Sequence, residues 1–147
     1  MKNKFSAQVA IDIDAPVSEV WDALVNPEMI KKYLHDTNAI SDWKEGSKLE
    51  FRVEWKGKSY VDKGEIVKVD KEKLLQYTYF SSMSGMEDKK ENYALVSYRL
   101  AEKNGKITLT LTQDNIPDEK GKKQSEKNWS AVLEDLKKAV EESHVSA

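Results

Sequence analysis

Up to about residue 113 the apolar residues of this chain recur mainly at every second position, and from about Lys123 they recur at every third or fourth. Trp129, Val132, Leu133, Leu136 and Val140 fall at i, i+3, i+4, i+7 and i+11, while Lys127, Glu134, Lys138 and Glu141 face away. That spacing predicts one long amphipathic helix at the C-terminal end, with Trp129 opening its apolar run and anchoring it. Phe5, Ala7, Val9, Ile11 and Ile13 alternate instead, as do Leu49, Phe51, Val53 and Trp55, which predicts strands with one buried face. One-faced strands and one apolar-striped helix must cover each other, so the chain is expected to wrap a sheet around its last helix.

The segments between follow the same logic. Pro16 suits a first helical turn, and Val17, Val20, Trp21 and Leu24 then repeat with helical spacing. Pro27 cannot continue that helix and restarts a second short one carrying Met29, Ile30, Tyr33 and Leu34. Lys56-Gly57-Lys58 reads as a hairpin turn into Ser59 to Val69, where Gly64 signals a bulge or bend. Leu74 to Phe80, Tyr93 to Leu100 and Ile107 to Gln113 are further β-rich runs, the last two joined by the turn Asn104-Gly105. The expectation is an α+β helix-grip fold: about six antiparallel strands in a curved sheet around a long C-terminal helix, with two short helices after the first strand. Without a linker or repeat, residues 1–147 are expected to form one domain.

Composition removes whole classes of function. Acidic and basic residues number 26 and 24, for a net charge of -2, so there is no electrostatic footprint for nucleic acid. Arg52 and Arg99 are the only arginines, which leaves little bidentate recognition of phosphate. Without cysteine there is neither a disulfide nor a thiolate nucleophile nor a sulfur-ligated metal. His35 and His144 stand far apart and outside any ligand spacing, so no metal and no cofactor is expected. His35-Asp36 could pair a base with an orienting carboxylate, but its place after a short helix reads as an exposed loop. No G-x-S-x-G, G-x-x-x-x-G-K-[ST] or G-x-G-x-x-G occurs, and Asp12, Asp14, Glu50, Glu54 and Glu65 read as a solvated face. No run approaches the ~20 apolar residues of a membrane span, so membrane insertion is not expected and a cytoplasmic location is.

The element order, together with Asp14 to Leu34, resembles the START-like (SRPBCC, birch-allergen-like) superfamily. Within it, the chain resembles the activator of heat-shock-protein-90 ATPase homologue (AHSA-like) family. Three patches carry the likeness: Ala15-Pro16 before Val20-Trp21 and Leu24; Gly64-Glu65-Ile66 ahead of Leu74 to Tyr79; and Trp129 with Leu133, Leu136 and Lys137. Tyr33 stands where a tryptophan is common, and Gln113 where the last core strand often ends in histidine. The resemblance implies a cavity for a small apolar or amphipathic molecule between sheet and helix. It also implies, as rivals, a chaperone-interacting module and, more remotely, an enzyme like the polyketide cyclases of the superfamily.

Aromatic residues are placed to line such a cavity. The candidates are Tyr33, Phe51, Val53, Trp55, Tyr60, Tyr77, Tyr79, Tyr98, Trp129 and Leu133, with Met83 and Met86 in the 81–92 connection as a flexible lid. Ordinary core packing accounts for apolar stripes equally well. With no catalytic motif, the functional expectation is a non-enzymatic binding domain, with a role in stress response through such binding.

Overall fold

The computed structural model describes residues 5–34, 36–81, 85 and 87–146; His35, Met83 and Met86 lie outside them, as do the side chains of Trp55 and His144. The elements run β1 (Phe5–Ile13), α1 (Val17–Val25), α2 (Pro27–Tyr33), β2 (Asn38–Ser41), β3 (Lys48–Trp55), β4 (Lys58–Asp70), β5 (Leu74–Tyr79), β6 (Ala94–Lys103), β7 (Lys106–Ile116) and α3 (Glu119–Ser146). The described strands form one antiparallel sheet in the order β1-β7-β6-β5-β4-β3-β2. This is the helix-grip arrangement, with seven strands where the pattern predicts about six. The addition is β2, whose four residues are too few to display a period.

Two tight turns set the register of two of the strand pairs. Lys56 and Gly57 have φ of 52° and 77°, and Asn104 and Gly105 have φ of 55° and 79°, the twist that suits two-residue hairpins. They bring Val53 opposite Tyr60 and Lys103 opposite Lys106. Strand β4 belongs to two pairings, with β3 along Lys58 to Glu65 and with β5 along Ile66 to Asp70. The corner between them falls at Gly64, where a Cβ would lie 1.7 Å from the Thr78 carbonyl oxygen. Only a residue without a side chain allows the two backbones to come this close.

The helices close the concave face. Asn26 accepts the Glu28 N–H at 3.1 Å and caps α2, whose first residue is Pro27. Helix α3 begins at Glu119, earlier than the apolar period predicts, because the Asp118 carboxylate accepts the Gly121 N–H at 2.6 Å. Leu133, Leu136 and Val140 are completely buried, and α3 rests chiefly on β1. At that end Glu141 accepts the Asp14 N–H at 2.9 Å and pairs with Lys137 at 3.1 Å, and Lys137 also reaches the Asp12 carbonyl. Trp129, expected to be the anchor, is only half-buried.

Candidate functional site

Between the first half of α3 and strands β3, β4, β5 and β7 lies a cavity of about 270 Å³. Its apolar wall is made by Leu34, Phe51, Tyr77, Trp129 and Val132, and its polar positions by Thr37, Asp62, Tyr79, Gln113, Ser125 and Asn128. A run of rings passes from its wall into the core and back: Tyr79 stands 5.9 Å from Phe51, Phe51 5.8 Å from Tyr77, Tyr77 6.2 Å from Tyr98, and Tyr98 6.3 Å from Trp129. Edge-on and tilted rings leave angular gaps that aliphatic side chains would fill.

Strand register decides what faces the cavity. Phe51 lies opposite Asp62, so the inward phase of β3 carries a carboxylate inward on β4. The Tyr79 hydroxyl donates to Asp62 Oδ2 at 2.6 Å. Across the cavity, the Trp129 indole N–H donates to Gln113 Oε1 at 2.7 Å, tying α3 to β7. Beneath lies a gap of about 10 Å³ among Leu24, Ile30, Tyr33, Trp43 and Tyr98, no more than one water could fill. There the Tyr33 hydroxyl donates to the Ala23 carbonyl at 2.7 Å. Ala23 is four residues before Pro27, which has no N–H to give in the helical manner, so the phenol supplies the missing donor.

Burial pushes the Tyr33 and Tyr77 hydroxyls well above their ordinary value and also raises Tyr98. Tyr79 is raised as well, first by burial and then by its bond to Asp62. All four are therefore neutral phenols at physiological pH, able to orient a ligand but poor as bases. Among the described residues no group of three or more His, Cys, Asp or Glu side chains is placed to hold a metal, and no helix is long and apolar enough to cross a membrane. A wider groove of about 700 Å³ is walled by charged residues of β3 and β4, including Lys48, Glu50, Lys63 and Glu65, and by Asp88. Its ion pair between Lys63 and Asp88 is solvent-exposed, and Leu49, Val67 and Tyr93 stand among the charged side chains of its wall.

Of the residues singled out in the sequence, Phe51, Tyr77, Tyr79 and Trp129 line the cavity, and Tyr33 and Tyr98 sit at the gap beneath it. Leu133 is fully buried in the core, and half-buried Val53 and Tyr60 face each other across β3 and β4, outside the described lining. Met83, Met86 and the Trp55 side chain fall outside the described residues. The polar members, Asp62 and Gln113 foremost, escape a search for apolar periods. The signal for Asp62 was nevertheless present: a two-residue turn at Lys56-Gly57 puts position 62 opposite position 51.

A family model described as Activator of Hsp90 ATPase homolog 1-like protein matches residues 14–141. The solution structure of ChR145 from Cytophaga hutchinsonii is 48% identical, with TM-score 0.86 and 100% of both chains covered. The Aha1 dimer from Colwellia psychrerythraea is similar in fold, with TM-score 0.73 at 16% identity over 92% of this chain and 96% of that one. So is DynU16, a protein of the dynemicin biosynthetic locus, with TM-score 0.74 at 20% identity over 92% of this chain and 47% of that one. The comparison with curated proteins found no match.

Proposed function

Since the chain belongs to the Activator of Hsp90 ATPase homolog 1-like family, we propose that it is a non-enzymatic domain that holds a small amphipathic molecule between its sheet and its last helix. The cavity of about 270 Å³, apolar in part of its wall and polar at two opposite sides, carries this reading. Pockets for drug-sized ligands measure about 300–1,000 Å³, so a one- or two-ring compound suits the space and an extended lipid chain does not. Neutral phenols, an amide and a carboxylate bonded to a tyrosine favour recognition over proton transfer. Isothermal titration with 2-acetylnaphthalene, beside mass spectrometry of molecules that co-purify with the native protein, tests it. Saturable one-to-one binding that competes with a co-purified compound is expected; linear, unsaturable uptake would overturn the proposal.

A second reading, a chaperone-interacting module, draws on the family itself and on the likeness in fold to the Aha1 dimer. It requires a surface and not a cavity. A several-fold rise in the ATPase rate of heat-shock protein 90 on adding this chain, retained when the cavity is blocked, would favour it over ligand holding.

A further inference from the structure

The orientation of Gln113 follows from chemistry alone. An indole N–H can only donate, so the amide atom 2.7 Å from Trp129 Nε1 must be the oxygen, Oε1. The carboxamide is planar, and with its oxygen held by the indole its two N–H donors are what remains for anything entering the cavity that Gln113 lines. On the other side stands Asp62, an acceptor that receives the Tyr79 hydroxyl. Among the described lining residues Asp62 is the only charged side chain, so a carboxylate entering here would meet like charge.

Resting on the binding reading above, we propose that the cavity selects an uncharged ligand bearing a carbonyl-type hydrogen-bond acceptor, which takes an N–H of Gln113. Trp129 is the positioning residue that fixes this preference, and Asp62 turns away carboxylates of the same shape. Half of the recognition is thus set by a residue that need not touch the polar end of the ligand. If the indole lost its N–H, the amide could rotate by half a turn and present its oxygen instead, reversing the preference without altering the size of the space.

Three naphthalenes of nearly equal shape separate these statements: 2-acetylnaphthalene, 2-isopropenylnaphthalene and 2-naphthoate, each titrated calorimetrically into the full chain. The ketone is expected to bind at least roughly tenfold more tightly than the carboxylate, the scale of a like-charge penalty, with the gap narrowed in Asp62→Asn. The ratio of ketone to hydrocarbon affinity is expected to fall roughly threefold to tenfold in Gln113→Met and in Trp129→Phe, the range of one hydrogen bond. Because that ratio is taken within each variant, a general loosening of the fold cancels from it. A ratio unmoved in both variants, or a carboxylate bound as tightly as the ketone, would overturn the inference while leaving the binding reading intact. Failure of all three probes to saturate would overturn both.

Discussion

Around Leu133, Leu136 and Val140 the space between α3 and the sheet is closed, whereas around Asn128 and Trp129, earlier on the same helix, it is open. The closed end is aliphatic: Ile13, Val20, Leu109 and Leu111 are fully buried there or nearby in the same core. Branched side chains interdigitate to the density of a crystal, and Lys137 and Glu141 fasten the rim to the end of β1. The open end is aromatic, and its rings meet at angles, with a hydroxyl bonded to a carboxylate and an indole bonded to an amide around the remaining gap. One helix thus does two jobs: its second half holds the fold together and its first half walls the cavity.

The sharpest way to break this division is to truncate one aliphatic side chain in each half. Leu136→Ala is expected to cost about 2–5 kcal/mol, as a cavity opened in a closed core does. Val132→Ala, at the wall of an existing cavity, should cost less than about 1 kcal/mol, because little packing is lost. Equal shifts in urea midpoint for the two would show that α3 is packed uniformly. Tyr33→Phe comes next, since it strands the Ala23 carbonyl that Pro27 cannot serve. A loss of about 1–3 kcal/mol is expected for such a buried orphan, and a variant as stable as wild type would mean that this bond is not needed.

Alkaline pH should weaken the aromatic end. Tyr33, Tyr77 and Tyr98 hold their protons in the folded chain above the ordinary phenol value of about 10 that they regain on unfolding. Their contribution is complete below that pH and is lost as pH rises through it toward the folded values, at about 1.4 kcal/mol per pH unit for each group. Urea midpoints between pH 8 and 11 should fall accordingly, with a shallower slope in Tyr98→Phe; a flat profile would show that the phenols ionise freely in place. Trp129→Phe is also a small change, which keeps a ring and removes the bond to Gln113. It should cost about 0.5–1.5 kcal/mol, and a melting temperature lowered as much as in Leu136→Ala would make Trp129 a core anchor after all.

Where burial alone sets the pattern, the residues reveal the fold. The alternation of β1 and β3 and the stripe of α3 are legible because each has one face in a dense interior. The start of α3 was obscured because Glu119 to Asn128 carries no apolar repeat, although Pro117-Asp118 is a serviceable start signal. Aromatic positions near the cavity were visible as types, but not their division into lining and filler, since ring angles are set by partners distant in sequence, such as Tyr98 and Trp129. Asp62 was hidden for a subtler reason. Its neighbours Val61 and Lys63 face solvent, and only register across the hairpin reveals that its own phase is inward.

The pairing of β1 also determines when the fold can be completed. Ala7 lies beside Gln113 and Ile13 beside Ile107, so β1 leaves the ribosome well before its partner β7, and the helix that covers it comes later still. Hairpins β3-β4 and β6-β7 can form locally as they emerge, within microseconds. Strand β1 must wait, apolar face uncovered, until β7 and then α3 arrive, and closing so long a loop is an entropic cost met before any contact repays it. Slow final docking of β1, and a risk of association between unfinished chains through that waiting strand, are therefore built into the order in which the elements are joined.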